Sequence, residues 1–180
     1  MIYYNSNQLS ERLGIGLSKW KRWAREFLAP DPLGGLQSGF ARQFSLKDAF
    51  HVYLAGCLVA DLKFSIPETR QILSDLNSWL KKTGFSQLHI SRDTASKSDS
   101  PFFRIYIIAT SSNRFAYTIR AVERPEALDP PMAGRQRESY TFAFVSAADD
   151  SDPIACDKVE TARVLGISTI YRNFLEKLKA

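Results

Sequence analysis

Apolar residues recur at helical spacing through the first half of the chain and at a spacing of two through much of the second. Leu9 and Leu13 mark a short helix that Ser6 can cap and Gly14 can end. After a tight turn, a second helix is predicted from Leu17 to Leu28. The run Ala29-Pro30-Asp31-Pro32-Leu33-Gly34-Gly35 then breaks helical structure. Gly39 to Phe44 reads as a short extended segment. Ser45 caps a third helix with Asp48 in its first turn. Its apolar residues (Ala49, Phe50, Val52, Tyr53, Leu54, Leu58, Val59) lie on most sides, which predicts a central position. Ser65 and Glu68 have capping-box spacing, with Pro67 in the first turn. The helix they open carries Ile72, Leu73, Leu76, Trp79 and Leu80 on one face, and Gly84 ends it.

In the second half, Phe115, Tyr117, Ile119 and Ala121 alternate with Ala116, Thr118, Arg120 and Val122, the pattern of a half-buried strand. Phe103 to Ile108 is another strand. Tyr140, Phe142 and Phe144 alternate likewise, and Leu88 with Ile90 marks a shorter one. Polar or proline-rich loops lie between them. Ser168 to Lys179 is predicted helical, with Ile170, Phe174 and Leu178 on one face. The expected fold class is α+β. A four-helix winged domain at residues 1–84 precedes a small antiparallel sheet domain with a C-terminal helix at 85–180.

Composition adds little until charge is located. Hydrophobic residues make up 44% of the 180 and charged residues 24%, an ordinary globular balance. The net charge is +5. Residues 1–84 hold 11 Lys/Arg against 7 Asp/Glu, and residues 85–180 hold 13 against 12. The excess therefore sits in the first half, as expected where a domain meets phosphate. No run reaches the roughly 18–20 apolar residues of a membrane span, and the start lacks signal-peptide character. The expected setting is reducing and cytoplasmic.

The second helix carries the main functional signal. At about 100° per residue, Leu17, Trp20, Trp23, Ala24, Phe27 and Leu28 gather in an arc of roughly 140°. The opposite arc holds Ser18, Lys19, Lys21, Arg22, Arg25 and Glu26. One side can dock on a core while four cations face outward, toward groove edges and flanking phosphates. A short helix, a turn containing Gly14 and a basic helix make a helix-turn-helix pattern.

Four pieces in register, over about residues 3–82, carry a family resemblance. They are Gly14-Ile15-Gly16, Lys21 to Leu28, Gly39 to Ser45, and Phe64-Ser65-Ile66-Pro67-Glu68. Together they resemble the MerR-like winged-helix regulators. The resemblance implies duplex DNA as partner and a bacterial transcriptional regulator as function. It places Lys21 where the family has a recognition-helix arginine and Arg22 where it has a DNA-facing tyrosine. Arg42 falls one position from the wing arginine that contacts the backbone. The implied DNA-binding set is Ser18, Lys19, Lys21, Arg22, Arg25 and Arg42. Ala24, Phe27 and Gly16 depart from the family's glutamate, glycine and capping serine. The long dimerisation helix of the family is also missing after Gly84, so its promoter-distorting mechanism is not carried over.

Two rival functions use the same half: an architectural factor of phage or recombination type that bends DNA, and a protein-interaction adaptor that has lost DNA. Dimerisation would fall to the sheet half or to the Leu73, Leu76, Leu80 stripe, which is more simply core. The sheet half is compatible with a pocket for a small effector. Its aromatics Phe103, Tyr106 and Phe115 could stack single-stranded bases, although core packing explains them more simply. Cys57, His51, His89 and Cys156 are scattered, so neither a metal site nor a cofactor is expected. No nucleophile, base and orienter recur at a recognisable spacing, and no enzyme activity is expected. Leu165-Gly166-Ile167-Ser168 with Tyr171-Arg172 resembles a Fis-type helix-turn-helix two residues too short, and a strand followed by a helix capped at Ser168 is the simpler reading.

Overall fold

The computed structural model describes residues 3–31, 42–85, 102–110, 114–123, 137–140 and 159–179. Over these the protein is α+β, with helices and small antiparallel sheets in two compact units. The first unit comprises Met1–His89 together with Tyr171–Ala180, and the second Ile90–Ile170.

The first unit begins with β1 (Tyr3–Asn5) and α1 (Ser6–Leu13). The cap of α1 is Asn5 rather than Ser6. Asn5 accepts from the Gln8 amide and Gln8 accepts from the Asn5 amide, each at 2.9 Å. Gly14 ends the helix at φ 66, where a side chain would be strained. Next is α2 (Leu17–Phe27), which Gly16 precedes without any side-chain cap. Trp20, Trp23 and Ala24 are its buried face. β2 (Gln43–Ser45) pairs antiparallel with β1, matching Tyr4 to Phe44. Phe44 meets the Trp20 ring edge-on at 5.7 Å, which fastens the small sheet to α2.

α3 (Leu46–Ala60) starts at the predicted cap Ser45, which forms a full capping box with Asp48, and α4 (Ile66–Lys82) starts at the predicted box of Ser65 with Glu68. α3 is central, with Ala49, Val52, Leu54, Ala55 and Leu58 at 1% exposure or less. Gly56 lets the Trp23 ring lie directly against the α3 backbone.

The second unit holds a four-stranded antiparallel sheet in the order β5-β4-β3-β6. Its strands are β3 (Phe102–Ala109), β4 (Phe115–Glu123), β5 (Arg137–Tyr140) and β6 (Arg163–Leu165). The register pairs Ile105 with Ile119 and with Leu165, so one face buries Ile105, Ile107, Tyr117, Ile119 and Leu165. The expected strand at Leu88–Ile90 and the alternation at Phe142 and Phe144 lie outside the described residues. β6 is the strand expected just before the C-terminal helix, whereas the three-residue β1 is too short to show a period of two.

The C-terminal helix α5 (Ile167–Lys179) departs most from expectation. Its first residues, 167–170, fall in the second unit, and from Tyr171 onward it belongs to the first. Tyr171 and Phe174 pack on Phe50 at 5.0 and 5.2 Å between centroids, and Phe174 also meets Tyr53. Arg12 of α1 donates to the Leu178 carbonyl, and Lys177 donates to the Leu13 carbonyl. The last turns of α1 and α5 thus satisfy each other's free carbonyls. Ser168 is not the cap: it is the second residue of the helix, and its hydroxyl accepts from the Phe103 amide at 2.9 Å. No helix among the described residues is long and apolar enough to cross a membrane.

Candidate nucleic-acid interface

Burying Trp20, Trp23 and Ala24 fixes the rotation of α2, and rotation decides what the helix shows outward. Ser18, Lys19, Lys21, Arg22 and Arg25 are all exposed. Ser18, Arg22 and Arg25 follow i, i+4, i+7 spacing and form the ridge opposite the core face. Lys21 flanks that ridge on one side and Lys19 on the other. The Lys19 ammonium lies 4.8 Å from the centre of the Trp23 ring, a cation–π contact that holds its stem against the helix.

Glu26 is the one acid on α2, and it is turned away from the ridge. Its carboxylate pairs with Arg70 of α4 at 2.8 Å, and Arg70 also donates to the Glu26 carbonyl. Arg70 is 54% exposed, so the pair adds little stability. It does neutralise the one negative charge carried by α2 itself.

The predicted residues divide into two groups. Lys21, Arg25 and Arg42 line one groove of about 580 Å³, together with Asn5, Ser6 and Asn7 at the start of α1. Asp31 adds an acid at its edge. Ser18, Lys19 and Arg22 are not part of that groove and stand along the open face of α2. Arg42 is half-buried, because its guanidinium donates to the Ala29 carbonyl at 2.9 Å and lies 5.6 Å from the Phe44 ring centre. It ties the residue before β2 to the chain leaving α2. Residues 39–41, the rest of the predicted extended segment, lie outside the described residues.

Of the polar triplet Asn5-Ser6-Asn7 the sequence singles out Ser6 alone, as a cap, yet all three line the groove. Its signal in the sequence is three consecutive short hydrogen-bonding side chains where a helix begins. The packing of α1 on α2 brings them beside Lys21, and the β1–β2 pairing brings them beside Arg42.

Other candidate groups have bland surroundings. Burial first, then the nearby Asp61 carboxylate, pushes the Cys57 thiol up to about 12, so it stays protonated and unreactive. Among the described residues no three His, Cys, Asp or Glu cluster as metal ligands, and His89 and Cys156 lie outside those residues. Of the sheet aromatics, Phe115 is buried at 7% exposure, and the Arg120 guanidinium covers the Tyr106 ring at 4.9 Å. Phe115 therefore offers no ring for stacking a base, and Arg120 occupies one face of Tyr106. Compared with protein families, curated proteins and solved structures, the chain matches none.

Proposed function

We propose that the first unit is a winged helix-turn-helix of the MerR-like kind, binding duplex DNA sequence-selectively as a transcriptional regulator. The observation that carries this reading is the face of α2. Arg22 and Arg25 stand on one exposed ridge with Ser18, Lys19 and Lys21 flank it, and the helix's acid is paired elsewhere. Guanidinium groups at that spacing can reach base edges in the major groove, where arginine forms bidentate bonds to guanine. The adjoining groove, with Lys21 and Arg25, suits a backbone phosphate that sets the register of docking.

Binding to a labelled random duplex, followed as a function of salt, tests the proposal. Each neutralised phosphate contributes about 0.9 to the log–log slope. Wild type should show a clear slope, and Arg22→Ala/Arg25→Ala should lower it by up to about 1.8. Absence of binding at low salt would remove the DNA reading and favour an adaptor that meets protein. An unchanged slope in the double variant would move the interface off α2.

A further inference from the structure

On the side of the first unit where α2 ends, a hollow of about 320 Å³ lies between α2, α3 and α4. Its floor is apolar: Phe50, Leu54, Leu73, Leu80 and Phe85 all line it, and each is at most 7% exposed. Phe27 and His51 stand in the wall, with the imidazole hydrogen-bonded to the Phe27 backbone. The rim is of the opposite character. Lys47 from the first turn of α3, Lys81 from the last turn of α4 and Asn77 one turn earlier are all exposed there.

The charges at the mouth do not cancel. Asp48 is the one acid in the lining, and its carboxylate accepts from the Ser45 hydroxyl at 2.6 Å and the Ser45 amide at 3.3 Å. It is thereby directed into the helix cap, leaving two ammonium groups against one engaged carboxylate. An adjoining hollow of about 370 Å³ shares Phe27, His51, Leu73 and Asn77, and there Arg70 is already paired with Glu26. A concave apolar floor with a few polar groups at the edge is the usual build of a small-molecule site, and this volume is near the small end of the range.

We infer that this hollow binds a small carboxylate with an apolar body. A one- or two-ring or short aliphatic portion would cover Phe50, Leu54 and Phe85, and the carboxylate would sit between Lys47 and Lys81. Apolar surface on both partners is removed from water, which drives entry. The two lysines select the sign of the head group and favour it over a cationic one of equal size. The inference concerns the protein alone and stands apart from the DNA reading.

Calorimetric titration of the full chain with 1-naphthoate tests it, beside 1-naphthylmethylamine, which keeps the rings and reverses the charge. The naphthoate should bind one to one and the amine at least about tenfold more weakly. Lys47→Glu/Lys81→Glu changes only exposed positions and should lower naphthoate affinity at least about tenfold. Asn77→Trp, also at an exposed position, should close the mouth and abolish binding while thermal unfolding stays as in wild type. It serves as the deciding variant if the double reversal fails to fold. No heat at millimolar naphthoate, equal affinity for the amine, or binding that survives Asn77→Trp would each overturn the site.

Discussion

Gly56 has no side chain where the Trp23 ring needs the space. A Cβ built there would lie 2.3 Å from Cζ3 and 2.6 Å from Cε3 of that ring. Trp23 is 6% exposed and belongs to the face that sets the rotation of α2, so the ring has little room to retreat. Alanine would gain helix propensity at this position, but the overlap outweighs it. Gly56→Ala should therefore destabilise the protein by about 1–3 kcal/mol, read as a lower urea midpoint. A variant as stable as wild type would mean the contact is loose and that α2 is not held in this way. His51 makes a prediction in pH. Burial is the main cause that lowers its pKa from 6.5, outweighing the nearby Asp48 carboxylate and the Phe27 backbone bond, which raise it. The folded protein resists the proton that the unfolded chain accepts. Stability should thus rise with pH from the lowered folded value up to about 6.5 and level off above it. Unfolding midpoints at pH 5 and 7.5 should differ in wild type and differ less in His51→Gln. An equal pH response in the two would sink the assignment.

At the scale of elements, what could be read in the chain is what local chemistry determines. The cap at Ser45, the box at Ser65–Glu68 and the helix stop at Gly14 lie within a few residues of the elements they bound, and each appears where the pattern put it. The amphipathic period of α2 was likewise sufficient to sort its buried tryptophans from its exposed cations. Two positions show the limit of local reading. Ser6 and Asn5 are both good capping residues, and the reciprocal bond with Gln8 decides between them. Ser168 reads as a cap, but a bond to Phe103, 65 residues away, takes its hydroxyl. The candidate interface divides in the same manner. Ser18, Arg22 and Arg25 follow from one helix's period, whereas the groove that joins Lys21 and Arg25 to Asn5 and Arg42 needs the β1–β2 pairing. Three-residue strands carry no periodic signal of their own.

At the scale of the whole chain, α5 is the element whose placement matters most. Its amphipathic face was legible in the sequence, but the surface it would cover was not, because a sheet and a helical unit offer similar apolar ground. The structure assigns Tyr171, Phe174 and Leu178 to the first unit, where Phe174 is fully buried against Phe50 and Tyr53. The first unit therefore includes residues 171–179, and residues 1–84 alone would lack Phe85 and leave Phe50 without Tyr171 over it. This can be tested in the intact protein. The chain has three tryptophans, Trp20, Trp23 and Trp79, and all belong to the first unit. Tryptophan fluorescence during urea unfolding thus reports that unit alone. Phe174→Ala should move its transition by about 3–5 kcal/mol, the cost of removing a fully buried phenylalanine, although residue 174 is remote in sequence from every tryptophan. Asn173→Ala, at an exposed position on the same helix, should leave the transition within about 0.5 kcal/mol. If Phe174→Ala left the fluorescence transition unmoved, the C-terminal helix would belong with the sheet and the first unit would be complete without it.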